Sequence, residues 1–329
     1  MHRHPVFSSL VTRHSSLSFS AFLLLLVPGL AVPADASDRA GTAAFAFVKI
    51  TPGARQAGMG GACSAIGRDV NALSWNPAGL ARLDTAQATV AYTNLFQDVQ
   101  LGFVGYARPA GKMQVVGLAV QSLSYGTFRE TTLDDPTGGQ HGTFGAADWA
   151  MTLSYSRRVG EHLSVGVNLT GLYERIQSYS AGAFAVDAGL QVRIPSRRLS
   201  LAAVLQHAGV GLSGFRPGRH DPLPLSVRAG LSYIPAHLPL LLTADVEQAL
   251  DHTVAARLGG EFDIRGLVFL RGGYASTGSD QRVTPSDTRL AGFSTGIGVQ
   301  ARAYRLDYAY VPSLRLGDAH RVSLTRSLR

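Results

Sequence analysis

The sequence predicts an all-β membrane protein: an antiparallel β-barrel of about 14 strands, preceded by an N-terminal plug that contains a short helix. Three observations carry this expectation. Charged residues make up only 16% of the 329 residues, while glycine is abundant at 37, a balance poorer in charge than ordinary soluble domains. Most segments beyond Ala86 alternate apolar and polar residues with period two over lengths suited to crossing a membrane. The links between those segments alternate between short and long, as in barrels with tight turns at one end and loops at the other. On composition alone a soluble all-β domain stands level with a barrel. Strand length favours the barrel, because strands of soluble sheets usually run about 5–6 residues.

Residues 1–36 read as a secretory signal peptide. Arg3 and Arg13 form a basic start, Leu17 to Leu30 an apolar core, and Ala34-Asp35-Ala36 a small-residue cleavage site. The apolar run is short for a spanning helix. The mature chain is expected to begin near Ser37, with no lipid-modified cysteine following the leader. Cys63 is the single cysteine, which excludes an internal disulfide. Lying among glycine and alanine, it reads as a small packed residue.

Residues 37–84 are the expected plug, or hatch. Its core, FAFVKITPGARQAGMGGACSAIGRDVNALSWNPAGL, is rich in glycine and alanine and nearly free of charge. Gly58, Gly60 and Gly61 lack the spacing and the following Lys-Ser/Thr of a phosphate-binding loop. They are expected to let the plug backbone approach the barrel wall closely. Asp69 is placed to cap a short helix running through Leu73, and Pro77 to end it. Asn76 is expected to hold the plug through side-chain bonds, with Gly79 closing the motif. Asn76 and Pro77 are also candidates for fixing a hatch whose displacement opens a path.

Residues 85–329 are the expected barrel. The strands fall at about 86–96, 99–109, 112–127, 143–158, 162–176, 183–194, 197–207, 223–234, 238–248, 253–264, 266–275, 289–299, 301–311 and 319–328. In 146–158, for example, Trp149, Met151, Leu153 and Tyr155 oppose Asp148, Thr152, Ser154 and Ser156, so one face is oily and the other polar. Oily faces belong outside against lipid and polar faces in the lumen. Long links are expected at 128–142, 208–222 and 276–288, rich in Gly, Pro, Asp and Ser; the link at 97–98 is short although it belongs to the same end. Tyr92, Tyr106, Tyr155, Tyr173, Tyr233, Tyr274 and Tyr310 fall near strand ends, where an interfacial aromatic girdle would place them.

Inward charges crowd the second half: Asp245, Glu247, Arg257, Glu261, Asp263, Arg271, Arg305 and Asp307. Mixed signs in a confined lumen predict pairs that bridge neighbouring strands. Glu261 and Asp263 share one strand face, a geometry a hydrolase can use, but no accompanying Ser/His motif supports catalysis; the histidines are scattered over turns and strand ends. A barrel phospholipase is the best enzyme alternative. No Cys/His spacing suggests a metal, and no cofactor is expected. The net charge is +8, spread over turns with pairs at Arg157-Arg158 and Arg197-Arg198. Without a basic run interleaved with aromatics, nucleic acid is not an expected partner. Anionic lipid headgroups at the rims are.

The stretch FVKITPGARQAGMGGACSAIGRDVNALSWNPAGLARL resembles the start of PorV/PorQ-type proteins, a branch of FadL-like outer-membrane barrels. The matching pieces are Phe47-Val48-Lys49-Ile50, Gly53-Ala54-Arg55, Gly58-Met59-Gly60-Gly61-Ala62, Ala65, Asp69, Asn71-Ala72 and Trp75-Asn76-Pro77-Ala78-Gly79-Leu80. The chain departs from that pattern at Arg68-Asp69, where many relatives carry paired acids, and ends on Arg329 rather than an aromatic residue. The resemblance implies a non-catalytic integral outer-membrane protein with a hatch inside or under a barrel. It implies binding and transfer of hydrophobic molecules across the outer membrane. The alternative it implies is a type IX secretion component that shuttles exported proteins to surface attachment, with secretion-system subunits or cargo as partners.

Overall fold

Fourteen strands among the described residues hydrogen-bond in sequence order, and the last closes on the first, giving a complete antiparallel ring. The computed structural model describes residues 41–138, 142–216, 218, 221–281, 291–312 and 317–328. The expected signal peptide lies outside them. The strands are β1 (Ala86–Asn94), β2 (Gln100–Pro109), β3 (Gln114–Arg129), β4 (Thr143–Val159), β5 (Leu163–Ile176), β6 (Tyr179–Ile194) and β7 (Leu199–Ser213). They continue as β8 (Ser226–Tyr233), β9 (Leu240–Ala249), β10 (Ala255–Ile264), β11 (Val268–Ala275), β12 (Phe293–Ala301), β13 (Tyr304–Pro312) and β14 (Asp318–Leu328). The seam between β1 and β14 is paired along its whole length, from Ala86↔Leu328 to Asn94↔His320. Closure leaves no strand edge with unmet backbone groups, the condition for a sheet in hydrocarbon.

The outward face is apolar around the ring. Val90, Val104, Leu118, Leu153, Leu169, Leu258, Leu306 and Leu324 are all exposed, an arrangement that water would penalise and acyl chains would not. Aromatic side chains stand near both ends. Tyr106, Tyr155, Tyr233 and Tyr304 are exposed towards the short turns, and Tyr92, Trp149, Tyr173 and Phe293 towards the opposite end. Tyr274 and Tyr310 are half-buried: Tyr274 packs on Phe293 at 5.1 Å between ring centroids, and the Tyr310 hydroxyl donates to Asp318 at 2.8 Å.

Three local features depart from simple alternation. β7 runs six residues past the expected end at His207 because the ladder carries a bulge there. His207 sits at φ +58° and its N–H donates to the Asp187 carboxylate at 2.7 Å. The extra residue flips the period, so the pattern appears to stop where the strand continues. β6 begins at Tyr179, leaving β5 and β6 joined by a tight turn through Gln177 at φ +55°. The short link between β1 and β2 is made by Gln97 and Asp98, both left-handed at φ +49° and +63°, as two-residue hairpins require.

The segment before β1 lies within the ring. It holds a 3-10 turn (Ala46–Lys49), a one-turn helix α1 (Ala54–Gly58) and two further 3-10 helices (Val70–Ser74 and Pro77–Arg82). Its side chains and backbone bond to β3, β4, β5, β6, β8, β9, β10, β12 and β14, which only an interior position allows. Met59, Cys63, Ile66, Leu73, Trp75 and Leu80 pack with Ala91, Phe103, Ala107, Val115 and Ala119 of β1–β3. The inward face of those strands is therefore largely apolar where it meets the plug, with Thr89, Thr93 and Gln121 as its buried polar members, rather than polar throughout as expected for a lumen: the plug replaces water there and presents its own oily side. Each large side chain so buried contributes about 1.5–3 kcal/mol.

Leu169 lies mid-strand on the outer face, opposite Leu153 and Val186. Leu169→Arg is expected to destabilise the barrel in lipid by about 2–4 kcal/mol, read from urea unfolding in vesicles. Its inward neighbour Thr170→Ser is expected to leave the midpoint nearly unchanged.

Candidate functional site

The interior joins the plug to the wall by glycine contacts, by ion pairs and around a cavity at one mouth. Gly60 has φ +66°, and a Cβ there would stand 2.7 Å from Tyr274 N and 2.8 Å from Tyr274 O. Both the conformation and the space admit only glycine. Gly58 faces wall Gly296, where an added Cβ would meet the Gly296 Cα at 3.1 Å. Gly61 faces the Arg257 side chain, whereas Gly79 packs within the plug against Ile66 and Ala72. The Gly60 N–H donates to Ser294 Oγ on β12 at 3.0 Å.

Asp69 caps the 3-10 helix Val70–Ser74: its Oδ1 accepts from Asn71 N at 2.9 Å. The following helix is where the structure differs from expectation. Pro77 does not end a helix but opens the second one, with Asn76 as its cap accepting from Ala78 N at 3.0 Å. A first helical position suits proline because its missing N–H would be unpaired anyway. Asn76 Nδ2 donates to Ser64 O at 2.7 Å, tying two parts of the plug together. Asn76 packs against Gly189 of the wall and is fully buried.

The charged residues resolve into separate groups. In the largest, Glu261 accepts both Arg55 Nε at 2.9 Å and Arg55 Nη2 at 2.6 Å, a bidentate pair between plug and β10. Arg55 Nη1 turns back to Asp69 at 2.9 Å. Glu261 also accepts from Arg271 at 2.7 Å and Arg305 at 2.9 Å, and both arginines reach Asp307 at 2.7 and 3.1 Å. Arg55, Arg271 and Arg305 thus balance Asp69, Glu261 and Asp307. Burial alone would push the Asp69 carboxyl up; the adjacent Arg55 and the Asn71 donors outweigh it and hold it below the usual carboxylate range.

Glu247 forms a second group, accepting from Arg228 at 2.8 Å and from Arg257. Asp245 instead grips the plug backbone: its Oδ2 accepts from Cys63 N at 2.9 Å, Ser64 N at 3.0 Å and Ser64 Oγ at 2.7 Å. Asp263 stands apart from all of these. Although it shares the inward row with Glu261, it lies at the strand end and accepts from Gly266 N in the turn. Arg55 and Asp69 enter the network from the plug, outside any strand pattern, whereas Arg228 stands on the buried inward row of β8 with Ser226 and Ser232, a parity signal that the expected set of inward charges leaves out. Burial pushes the Cys63 thiol up, which keeps it protonated and unreactive. No group of three or more metal-type ligands occurs among the described residues.

At the end opposite the short turns, a cavity of about 560 Å3 lies between plug and wall. Phe47, Ile50, Leu95, Phe96, Leu123 and Val311 are among its apolar walls; Lys49, Tyr125, Arg257 and Arg321 supply polar groups. Lys49 is paired with Asp251 at 2.7 Å, and Arg321 donates to Thr51 O. Gly60 and Gly61 form part of its floor, whereas Asn76 and Pro77 do not line it.

Residues 33–193 match the family model described as type IX secretion system protein PorV. No curated protein matches the chain. In fold it is similar to a Pseudomonas aeruginosa FadL homologue, at 14% identity and TM-score 0.57, over 85% of this chain and 99% of that one. It is likewise similar to the Ralstonia pickettii toluene transporter TbuX, at 12% identity and TM-score 0.59, over 84% and 98% of the two chains. The CymD monoaromatic hydrocarbon channel gives 13% identity and TM-score 0.61 over 84% and 98%. The resemblance read from the plug motif is thus found again in the family model and in the fold.

Removing one partner of a buried ionic group leaves the others uncompensated. Glu261→Gln is expected to destabilise the protein by about 3–5 kcal/mol and to expose the plug to protease, whereas Asp263→Asn should stay within about 0.5 kcal/mol. Thermal unfolding in detergent with limited proteolysis checks both; equal effects would show that the plug is not held through Glu261.

Proposed function

We propose that this PorV-like barrel is a non-catalytic outer-membrane protein that binds an apolar group in the cavity between plug and wall and transfers it at the membrane. The cavity of about 560 Å3, walled by Phe47, Ile50, Leu95, Phe96, Leu123 and Val311, is the observation that carries this reading. Such a volume with mostly apolar walls and a few fixed polar groups suits a small hydrophobic ligand. The apolar exterior and the aromatic residues near both ends support insertion in a bilayer. The leader at residues 1–36 supports export, with the short turns left on the periplasmic side. Between this cavity and the opposite mouth the plug packs on the wall at Ser294 and Tyr274, so passage along the lumen would need α1 and the Met59–Gly61 turn to move away from them. Those contacts join Asn76 and Pro77 as candidates for fixing the hatch.

A second reading is favoured by the family model over residues 33–193: a type IX secretion component in which the same mouth and its loops receive an exported chain. The two readings share a site and differ in its occupant.

Val311→Phe fills the cavity from β13. In protein whose fold is verified by heat-modifiable migration, it should weaken binding of the apolar probe N-phenyl-1-naphthylamine by about tenfold or more. Unchanged probe affinity would remove the cavity as a binding site. If the variant loses probe binding yet wild type co-purifies with translocon subunits, the secretion reading takes precedence. N-terminal sequencing of the membrane-extracted protein is expected to begin at Ser37; a start at Met1 would refute the leader.

A further inference from the structure

The opposite mouth holds a different cavity, of about 240 Å3, beneath the plug. Arg55, Arg68, Arg82 and Arg193 line it together with Gln191 and Ser232. Arg158 stands nearby on the same inner surface: it pairs across β5 with Ser164, and Ser164 pairs with Gln191.

These cations are poorly matched by acids. Arg55 is engaged by Asp69 and Glu261. Arg68 reaches Asp84 only at 3.8 Å, with both side chains exposed. Arg82 donates to the carbonyl of Glu161 at 2.6 Å, and Arg158 to the carbonyl of Lys112. Among the described residues no carboxylate pairs with Arg82, Arg158 or Arg193, and the Nε atoms of Arg82 and Arg158 are buried without a partner. Burial and then the fields of Arg193, Arg158 and Arg68 hold the Arg82 guanidinium below its usual pKa, with no acid opposing them. It remains charged at neutral pH all the same.

Like charges gathered in a concave, partly desolvated site repel unless an anion sits among them. Planar guanidinium forks match the oxygens of a phosphate, and Gln191 and Ser232 add uncharged hydrogen-bonding groups. The volume suits a compact oxyanion and is too small for a long chain. We propose that this cavity binds a phosphate-type oxyanion, supplied as free phosphate or as the phosphomonoester headgroup of a lipid. The proposal is independent of the apolar cavity at the other mouth.

The test uses the full-length protein in non-ionic detergent. Its unfolding midpoint is measured in sodium phosphate against sodium chloride at matched ionic strength, and in mixed micelles of phosphatidate against phosphatidylcholine. Phosphate is expected to raise the midpoint saturably. Arg193→Gln, which breaks no bond among the described residues, should weaken apparent phosphate affinity about tenfold. Without phosphate it should unfold at the same temperature or higher, because repulsion is relieved. Arg82→Gln should weaken the affinity further. Protection by free phosphate identifies a soluble ligand; protection by phosphatidate alone identifies a lipid headgroup. Equal midpoints in phosphate, phosphatidate and their controls overturn the proposal, as does full phosphate protection in folded Arg193→Gln.

Discussion

The pairing of β14 with β1 is the interaction on which the rest of the structure depends. Without it two strands would offer unpaired N–H and C=O groups to hydrocarbon, at several kcal/mol for each. The seam carries further support from inside. Thr89 and Thr325 bring their hydroxyls to 3.0 Å across it. Gln87 on β1 accepts from Val70 N of the plug, and Arg321 on β14 donates to Thr51 O. The plug leads directly into β1, so the chain enters the ring at the place where the ring closes. The seam and the plug thus share their supporting contacts.

Inside, the two halves of the wall hold the plug by different forces. Towards β1–β3 the contact is mainly apolar and non-directional, with Gln87 and Gln121 adding single hydrogen bonds. Towards β8–β14 it is made by Glu261, Asp245, Ser294 and Arg321, each bonded to a named plug atom. Buried ion pairs give little net stability against apolar packing of the same volume. Their directional geometry fixes where the plug sits along and around the lumen, which oil alone does not. The fully connected group around Glu261 and Arg271 is also neutral in itself, with three arginines facing three carboxylates.

Most strands were legible because lipid outside demands an apolar residue at every second position, whatever faces inward. Val90, Val104 and Leu118 keep that rhythm even where the inner face is apolar as well. The bulge at His207 was not legible: one inserted residue inverts the parity, and only the Asp187 side chain waiting across the ladder explains why pairing resumes. Site residues divide in the same way. The inward charges of β9–β13 follow from strand parity, yet parity cannot tell Glu261 from Asp263, since what separates them is distance from the strand end. Asp69 was readable as a cap because capping is local. Its partner Arg55 and their joint contact with Glu261 span 206 positions of sequence and required the fold. The sequence also placed Pro77 at the end of a helix, whereas Asn76 turns it into a beginning.

The alternation of turns adds a consequence for charge that a net value of +8 hides. Successive links fall at opposite mouths, so each turn charge has an assigned end. The short-turn mouth carries Arg108, Lys112, Arg158, Arg193, Arg197 and Arg198, against Asp84, Glu161 and Asp263. The other mouth mixes signs: Asp98, Glu130, Asp134, Asp135, Asp251 and Asp318 stand there with Arg129, Arg175 and Arg216. The neutral group around Glu261 contributes no net charge, and among the described residues the excess of basic side chains gathers at the short-turn mouth. An anion approaching the short-turn mouth is drawn towards it, while the cavity at the loop mouth is walled largely by apolar side chains. The two cavities follow that division. The apolar one sits under the loops and the arginine-lined one under the basic turns, so the fold gives its two mouths different chemistry and places the plug between them.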